Sequence, residues 1–294
     1  MIKGYSRTAE GVALVRALQQ RLPASDRILD DPYAAAFLQN PILQLVASRR
    51  LSAWMASGIL DVWHTGSQES AAIRARLADD LAREMAADGL KQLVLLGAGF
   101  DSMALRIKPA LGGVTVFEVD HPGTQAAKRK VMSRLGTPDN VRFVAVDFER
   151  DDFVQGLEGA GFDSSRLSLI VWMGVTYYLT AEAIARALTQ IASISASGSR
   201  LTFDYMLREV VDGRSRNPGA LRTARQVAFL GEPWIFGLEP EEVAGYLSGF
   251  GFNVLEDYSS EALRERYHTR SFRLLDYIRI VVCERTLIGR LDLA

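Results

Sequence analysis

The stretch "QLVLLGAGFDSMALRI", Gln92 to Ile107, restricts the possible folds more than any other part of the chain. A short strand-like apolar run ends in Gly97-Ala98-Gly99, and a helical pattern starts directly behind it. A strand, a tight glycine turn and a helix in that order open a βαβ unit and let bare backbone approach a ligand. The same texture recurs downstream. "VTVFEV", "VRFVAV", "LSLIVWM" and "RLTFDYM" are short enough for buried strands, with helices expected at 122–134 and 181–196. Such alternation predicts an α/β fold with right-handed crossovers, an open, doubly wound and mostly parallel sheet.

The flanks read differently. "TAEGVALVRALQQRL" is helical and closed by Pro23. "SQESAAIRARLADDLAREMAADG" starts at cap-competent Ser67, places Ile73, Leu77, Leu81 and Met85 at four-residue steps, and ends at Gly89. "GFNVLEDY" and "RLLDYIRIVVCERT" read as two strands with a short connection, a final antiparallel, hairpin-like pair. Between Leu207 and Gly251 lies a segment rich in Arg, Gly and Pro, too long for a simple loop and expected to cover the substrate side. The resulting division is a helical N-terminal segment (1–66), which the resemblance given below makes a lid, an α/β core (67–206), a cover insertion (207–250) and C-terminal strands completing the sheet (251–294).

Composition narrows the function classes. A formal net charge of −1, with 48% hydrophobic and 23% charged residues, leaves no nucleic-acid footprint and no membrane-surface character. No apolar run approaches the ~18 residues of a spanning helix, and the N-terminus has no h-region, so a cytoplasmic location is expected. Cys283 alone excludes an internal disulfide and reads as a buried strand residue. His64, His121 and His268 have no ligand-type spacing, so no metal site is expected, and His121 in "DHPG" reads as a helix-start residue. None of these patterns encodes an oligomeric state.

The glycine turn can be matched to a ligand by elimination. A dinucleotide fingerprint needs a third glycine where this chain has Ser102, which leaves NAD binding as a minor alternative, and a P-loop needs a Lys-Ser/Thr pair that is missing. What remains is an acid at the end of each following strand. Glu118 and Asp120 lie 19 and 21 residues after Gly99, where a carboxylate can accept both hydroxyl hydrogens of a ribose. Asp147 closes the next strand and can accept from an adenine amino group, with Phe148 as apolar cover. Any one of these acids alone could be a helix N-cap. Together with the glycine turn they describe a ribose-and-adenine ligand with no need of phosphate-neutralising cations, which is S-adenosylmethionine. Its amino-acid tail needs a cation, Arg74 or Arg76; the competing reading is a solvated helix face pairing with Asp79 and Asp80.

"VLLGAGFDSMALR", "VFEVDHP", "VAVDFERDDF" and "VWMGVTYYLT" resemble the leucine carboxyl methyltransferase family of class I S-adenosylmethionine-dependent methyltransferases. The closest resemblance is to its bacterial branch, which includes polyketide carboxyl O-methyltransferases of the tetracenomycin type. It extends over nearly the whole chain: "SRTAEGVALVRA" and "DDPYAAAFL" look like that branch's helical lid, and "GEPWIFGLEPEEVAGYLSGFGFNV" like its distal segment. The resemblance implies a seven-stranded class I sheet. It also implies that Arg74 binds the cofactor's methionine carboxylate and that Gly97, Ala98, Gly99 and Asp101 form the turn below it. Asp120, with Glu118 as its rival, would hold the ribose, and Asp147 with the Phe148 backbone the adenine; Arg76 is left a structural role. One departure stands out. The family usually has Glu where this chain has Met173, at the cofactor's amino-acid end. Either a neighbour supplies the acceptor, or the position is altered in a protein that still methylates, or the fold persists with weakened transfer.

A methyl ester is the expected product, on a small-molecule, natural-product carboxylic acid. A carboxylate is already ionised at neutral pH and needs no general base. Tyr177 and Tyr178, as well as Thr176, are candidates to orient it, as are Arg222 and Arg225 in the cover and Arg7 in the N-terminal arm. Trp234 and Phe236 would suit an apolar wall, or equally serve as core residues of the cover. The alternatives are transfer to a hydroxyl, phenol or nitrogen, and a protein that binds in the pocket without methylating.

Overall fold

The computed structural model of the chain describes residues 4–49, 66–148, 151–229, 231–267 and 274–286. His64, His268 and residues 50–65 of the expected lid lie outside them. The strands are β1 (Gln92–Leu96), β2 (Thr115–Asp120), β3 (Val141–Ala145), β4 (Ser168–Trp172), β5 (Arg200–Met206), β6 (Phe252–Tyr258) and β7 (Ile278–Arg285). They form one seven-stranded sheet in the order β3-β2-β1-β4-β5-β7-β6. β1 to β5 pair in parallel, and β7 runs antiparallel to both of its neighbours, β5 and β6. The chain moves outward from β1 on one side and returns to β4 on the other. A topological switch point therefore lies between the carboxyl ends of β1 and β4, where ligands bind in open α/β sheets.

The helices are α1 (Arg7–Gln19), α2 (Pro41–Ser48), α3 (Ser67–Ala87), α4 (Met103–Arg106), α5 (Pro122–Leu135), α6 (Phe153–Gly159), α7 (Ala181–Ile194), α8 (Arg208–Val211), α9 (Pro218–Phe229), α10 (Pro240–Ser248) and α11 (Ser260–Arg266). β1 and β4 are buried along their whole length, as continuous apolar runs covered on both faces must be. On one face Leu93, Leu95, Leu169 and Val171 meet the Ile73, Leu77, Leu81 and Met85 stripe of α3. On the other, Val94, Leu96, Ile170 and Trp172 meet Ile184, Leu188 and Ile191 of α7. Each helix lays its 3.6-residue stripe on alternate strand residues, and burial of those side chains is the main stabilising term.

Three boundaries differ from the sequence reading. Gly66, at φ +86°, is the N-cap of α3, so Ser67 is its first helical residue. The 207–250 block divides. α10 buries Val243 and Leu247 with Phe252 of β6, so it belongs to the sheet layers. β6 and β7 are antiparallel as expected, but α11 stands between them, started by Ser259 accepting from the Ala262 N–H at 3.2 Å. No hairpin turn could carry that helix.

The N-terminal segment is fastened by buried charges. Arg16 bonds Asp31 at 2.9 Å, and Arg106 of α4 reaches Asp31 at 3.2 Å and Asp79 of α3 at 2.7 Å. Among the described residues, no helix is long and apolar enough to cross a membrane, and no His/Cys/Asp/Glu group could hold a metal ion. Cys283 is buried on β7.

Candidate active site

The glycine turn sits at the switch point. Gly97 and Ala98 both donate to the Val119 carbonyl of β2, at 2.9 and 3.0 Å. Gly97 has φ +70°, and a Cβ there would lie 2.7 Å from Val175 Cγ2, so no other residue fits. A Cβ on Gly99 would meet Ala9 of α1 at 3.2 Å, which shows how closely the N-terminal helix lies on the turn. Thr8, beside it, donates to Glu232 of the cover at 2.8 Å, so the two segments join above the strand tips.

The two acids of β2 have different surroundings. Asp120 stands at the tip, with Oδ2 accepting from the Gly99 N–H at 2.5 Å and Oδ1 from the His121 N–H at 2.7 Å. Burial raises its pKa and those N–H bonds partly oppose the rise. Glu118 is 1% exposed and ion-paired at 2.8 Å with Lys128 of α5, off the line of an aligned hydrogen bond. Burial raises its pKa against the pull of Lys128. Lys128 also donates to the Ala98 carbonyl at 3.3 Å, tying the turn to β2 from beneath. His121 accepts from the Gly123 N–H at 3.2 Å as the N-cap of α5, its expected role.

The outer residues are arranged as follows. Asp147 ends β3's run, half-buried, with its N–H bonded to Asp151 at 2.9 Å. Phe148 beside it is 38% exposed. Asp101, one residue before the Ser102 N-cap of α4, accepts from the Met103 N–H at 2.7 Å; burial would raise its pKa, but Arg106, Arg16 and Lys128 outweigh that and hold it at about 2.

Arg74 and Arg76 leave α3 in different directions. Arg76 pairs with Asp80 at 2.9 Å, the solvated-face reading. Arg74 turns inward to the tips of β4 and β5. Its Nη1 donates to Asp204 Oδ2 at 2.5 Å and to the Tyr177 hydroxyl at 3.0 Å. Asp204 Oδ1 accepts from the Gly174 N–H at 2.7 Å. Burial opposes the charge on Arg74, yet Tyr177 and Asp204 more than offset it and the arginine stays protonated. Met173 packs against the α3 face of the core. Thr176 is buried, its hydroxyl spent on the Asp204 carbonyl at 2.5 Å.

On the acceptor side, Tyr177 and Tyr178 have ring centroids 4.7 Å apart, and Trp234 stands edge-on to Tyr177 at 6.2 Å. Burial pushes both phenols upward, so each is a neutral donor at neutral pH. Phe236 is a core residue beneath the cover rather than part of this wall. Arg7, Arg222 and Arg225 are exposed. The sequence reading missed Asp204 and Lys128, whose only signal was a charged residue inside "RLTFDYM" and at one helical step of "PGTQAAKRK".

Asp120 thus joins the positive-φ glycine turn at the β1 and β2 tips, and Arg74 stands at the β4 and β5 tips on the other side of the switch point. The model of the leucine carboxyl methyltransferase family matches residues 9–192. The chain belongs to the leucine carboxyl methyltransferase family. A provisionally named S-adenosyl-L-methionine-dependent methyltransferase of Mycolicibacterium smegmatis is 36% identical over 262 residues, covering 87% of this chain and 85% of the relative. Another, from Mycobacterium sp. strain KMS, is 32% identical over 284 residues, covering 88% and 87%. A provisionally named methyltransferase from Thermobifida fusca has the same fold, with a TM-score of 0.59, 18% identity and coverage of 92% of this chain and 97% of that one. A DUF574 family protein from Streptomyces avermitilis matches with TM-score 0.59, 13% identity and the same 92% and 97% coverage. This leucine carboxyl methyltransferase family member is an S-adenosylmethionine-dependent methyltransferase on a class I fold.

Proposed function

We propose that this methyltransferase forms a methyl ester on the carboxylate of a small natural-product acid. Its residues fit the cofactor chemically. Each oxygen of Asp120 accepts one backbone N–H and keeps a lone-pair site, which suits the two hydroxyls of a ribose. Its contacts with two backbone groups make it a better ribose acceptor than Glu118, whose charge answers Lys128. Arg74 would take the tail carboxylate, Gly97 to Gly99 would pass beneath it, and Asp147 with Phe148 would flank the adenine.

Bound S-adenosylmethionine supplies an electrophilic methyl group for in-line displacement. The chain's own task is to orient the incoming oxygen and exclude water. Tyr177 and Tyr178 carry the reading: two phenols kept protonated beside Arg74 donate hydrogen bonds to an oxygen that arrives already ionised. His121 is spent as a helix cap, which supports an acceptor that needs no base. Trp234 would pack against a flat or apolar acceptor body.

The test is mass spectrometry of a panel of carboxylic acids, phenols and amines incubated with enzyme and S-adenosylmethionine. The reading expects a 14-dalton gain (one methylene) on an acid, reversed by mild base. A base-stable product would place the methyl on a phenol or nitrogen and overturn it.

A further inference from the structure

Asp204 is fully buried, at 0% exposure, between Phe203 and Tyr205 on an interior strand. A carboxylate there loses its hydration and is retained at a net cost unless something depends on it. Its two oxygens divide their work: Oδ2 takes Arg74 Nη1 at 2.5 Å, and Oδ1 takes the Gly174 N–H at 2.7 Å. Gly174, at φ +74°, directly follows Met173, and a Cβ on it would stand 3.9 Å from Arg74 Nη1. Trp172 and Phe203 are register partners, so Met173 and Asp204, one step further, lie at the same level of the β4 and β5 tips. The buried carboxylate that Met173 lacks is thus present one strand away.

We propose that Asp204 is the positioning residue for Arg74. It locks Nη1 from behind and presents the guanidinium's Nε–Nη2 edge to the carboxylate of the cofactor's amino-acid tail. Both partners of Arg74 among the described residues, Asp204 and Tyr177, bind Nη1. Nε and Nη2 form the side-on fork that receives a carboxylate in two parallel hydrogen bonds. Asp204 also holds the Gly174 turn at the same level, so the cation and the backbone beside it are fixed as one unit. A guanidinium released from Nη1 would swing on a flexible stem and lose that orientation. The inference rests on the reading that Arg74 binds the tail.

Two ligands separate the possibilities: S-adenosylhomocysteine, which carries the tail, and 5′-methylthioadenosine, which does not. Asp204→Asn keeps the volume and an acceptor for Gly174 but removes the charge. By calorimetry it should weaken S-adenosylhomocysteine about 10-fold or more and leave 5′-methylthioadenosine within about 2-fold, the size expected for a lost charge-assisted contact. Equal weakening of both ligands would make Asp204 merely structural and overturn the proposal. Arg74→Met should discriminate the ligands in the same way; if it does not, the tail reading of Arg74 falls and takes the proposal with it. If Arg74→Met discriminates and Asp204→Asn does not, only the Asp204 assignment fails. Should Asp204→Asn not fold, the Arg74→Met/Asp204→Asn double variant, which leaves no unpaired buried charge, replaces it. Its affinity ratio for the two ligands should equal that of Arg74→Met alone, and a further drop would mean that Asp204 acts other than through Arg74.

Discussion

Lys128 Nζ stands 2.8 Å from Glu118 Oε2, with both side chains 1% exposed. The same ammonium donates to the Ala98 carbonyl, so one buried cation joins helix, strand and glycine turn. Lys128→Met strands Glu118 and should lower unfolding free energy by about 3–5 kcal/mol in denaturant titration, since a buried charge loses its partner. Adding Glu118→Gln should recover most of that loss. A Lys128→Met protein as stable as the wild type would show that the pair does not hold the turn.

Asp120 and Glu118 should separate by assay. Asp120→Asn should weaken S-adenosylhomocysteine by about 1.5–3 kcal/mol, roughly 10- to 150-fold, because it loses charged acceptance of two hydroxyls. Glu118→Gln should shift the melting temperature more than the dissociation constant. The reverse pattern would make Glu118 the ribose residue.

Cofactor affinity should carry a proton. In the free protein burial holds the Asp120 pKa above its ordinary value of about 3.9. Ribose donors favour the ionised form and bring it down, so binding releases a proton between the bound and free values. Affinity should therefore rise with pH through that window and level off above it. Calorimetry from about pH 4 to 7 in buffers of different ionisation enthalpy measures this. Asp120→Asn should flatten the rise.

Met173→Glu puts a second carboxylate at the level of Asp204, where Arg74 already has an anionic partner. S-adenosylhomocysteine affinity should stay within about threefold, under 1 kcal/mol. A tenfold gain would mean that the native site lacks an acceptor that Asp204 does not replace.

Much of the molecule was readable because its signals are local. The α3 stripe, the strand runs, the His121 cap and the Arg76–Asp80 pair each depend on residues a few positions apart. Arg74 and Asp204 are 130 residues apart, and neither one's surroundings in sequence name the other. The same holds for Lys128 under Ala98. α11 was overlooked because a seven-residue helix with one Ser cap resembles a connection. The 207–250 stretch read as one block because its Arg, Gly and Pro content masked the Val243–Leu247 step of α10.

β5 acquires its second neighbour only from β7, the last of the described strands, which pairs with it from Arg200↔Glu284 to Met206↔Ile278. β1, β2 and Asp120 precede β5 in the chain, and the edge of the strand bearing Asp204 is covered only by β7, Ile278–Arg285. On the proposed reading, the Asp120 side of the pocket needs only the early strands while the Arg74–Asp204 side needs β7, so a chain cut before Ile278 should lose its hold on the tail before its hold on the nucleoside.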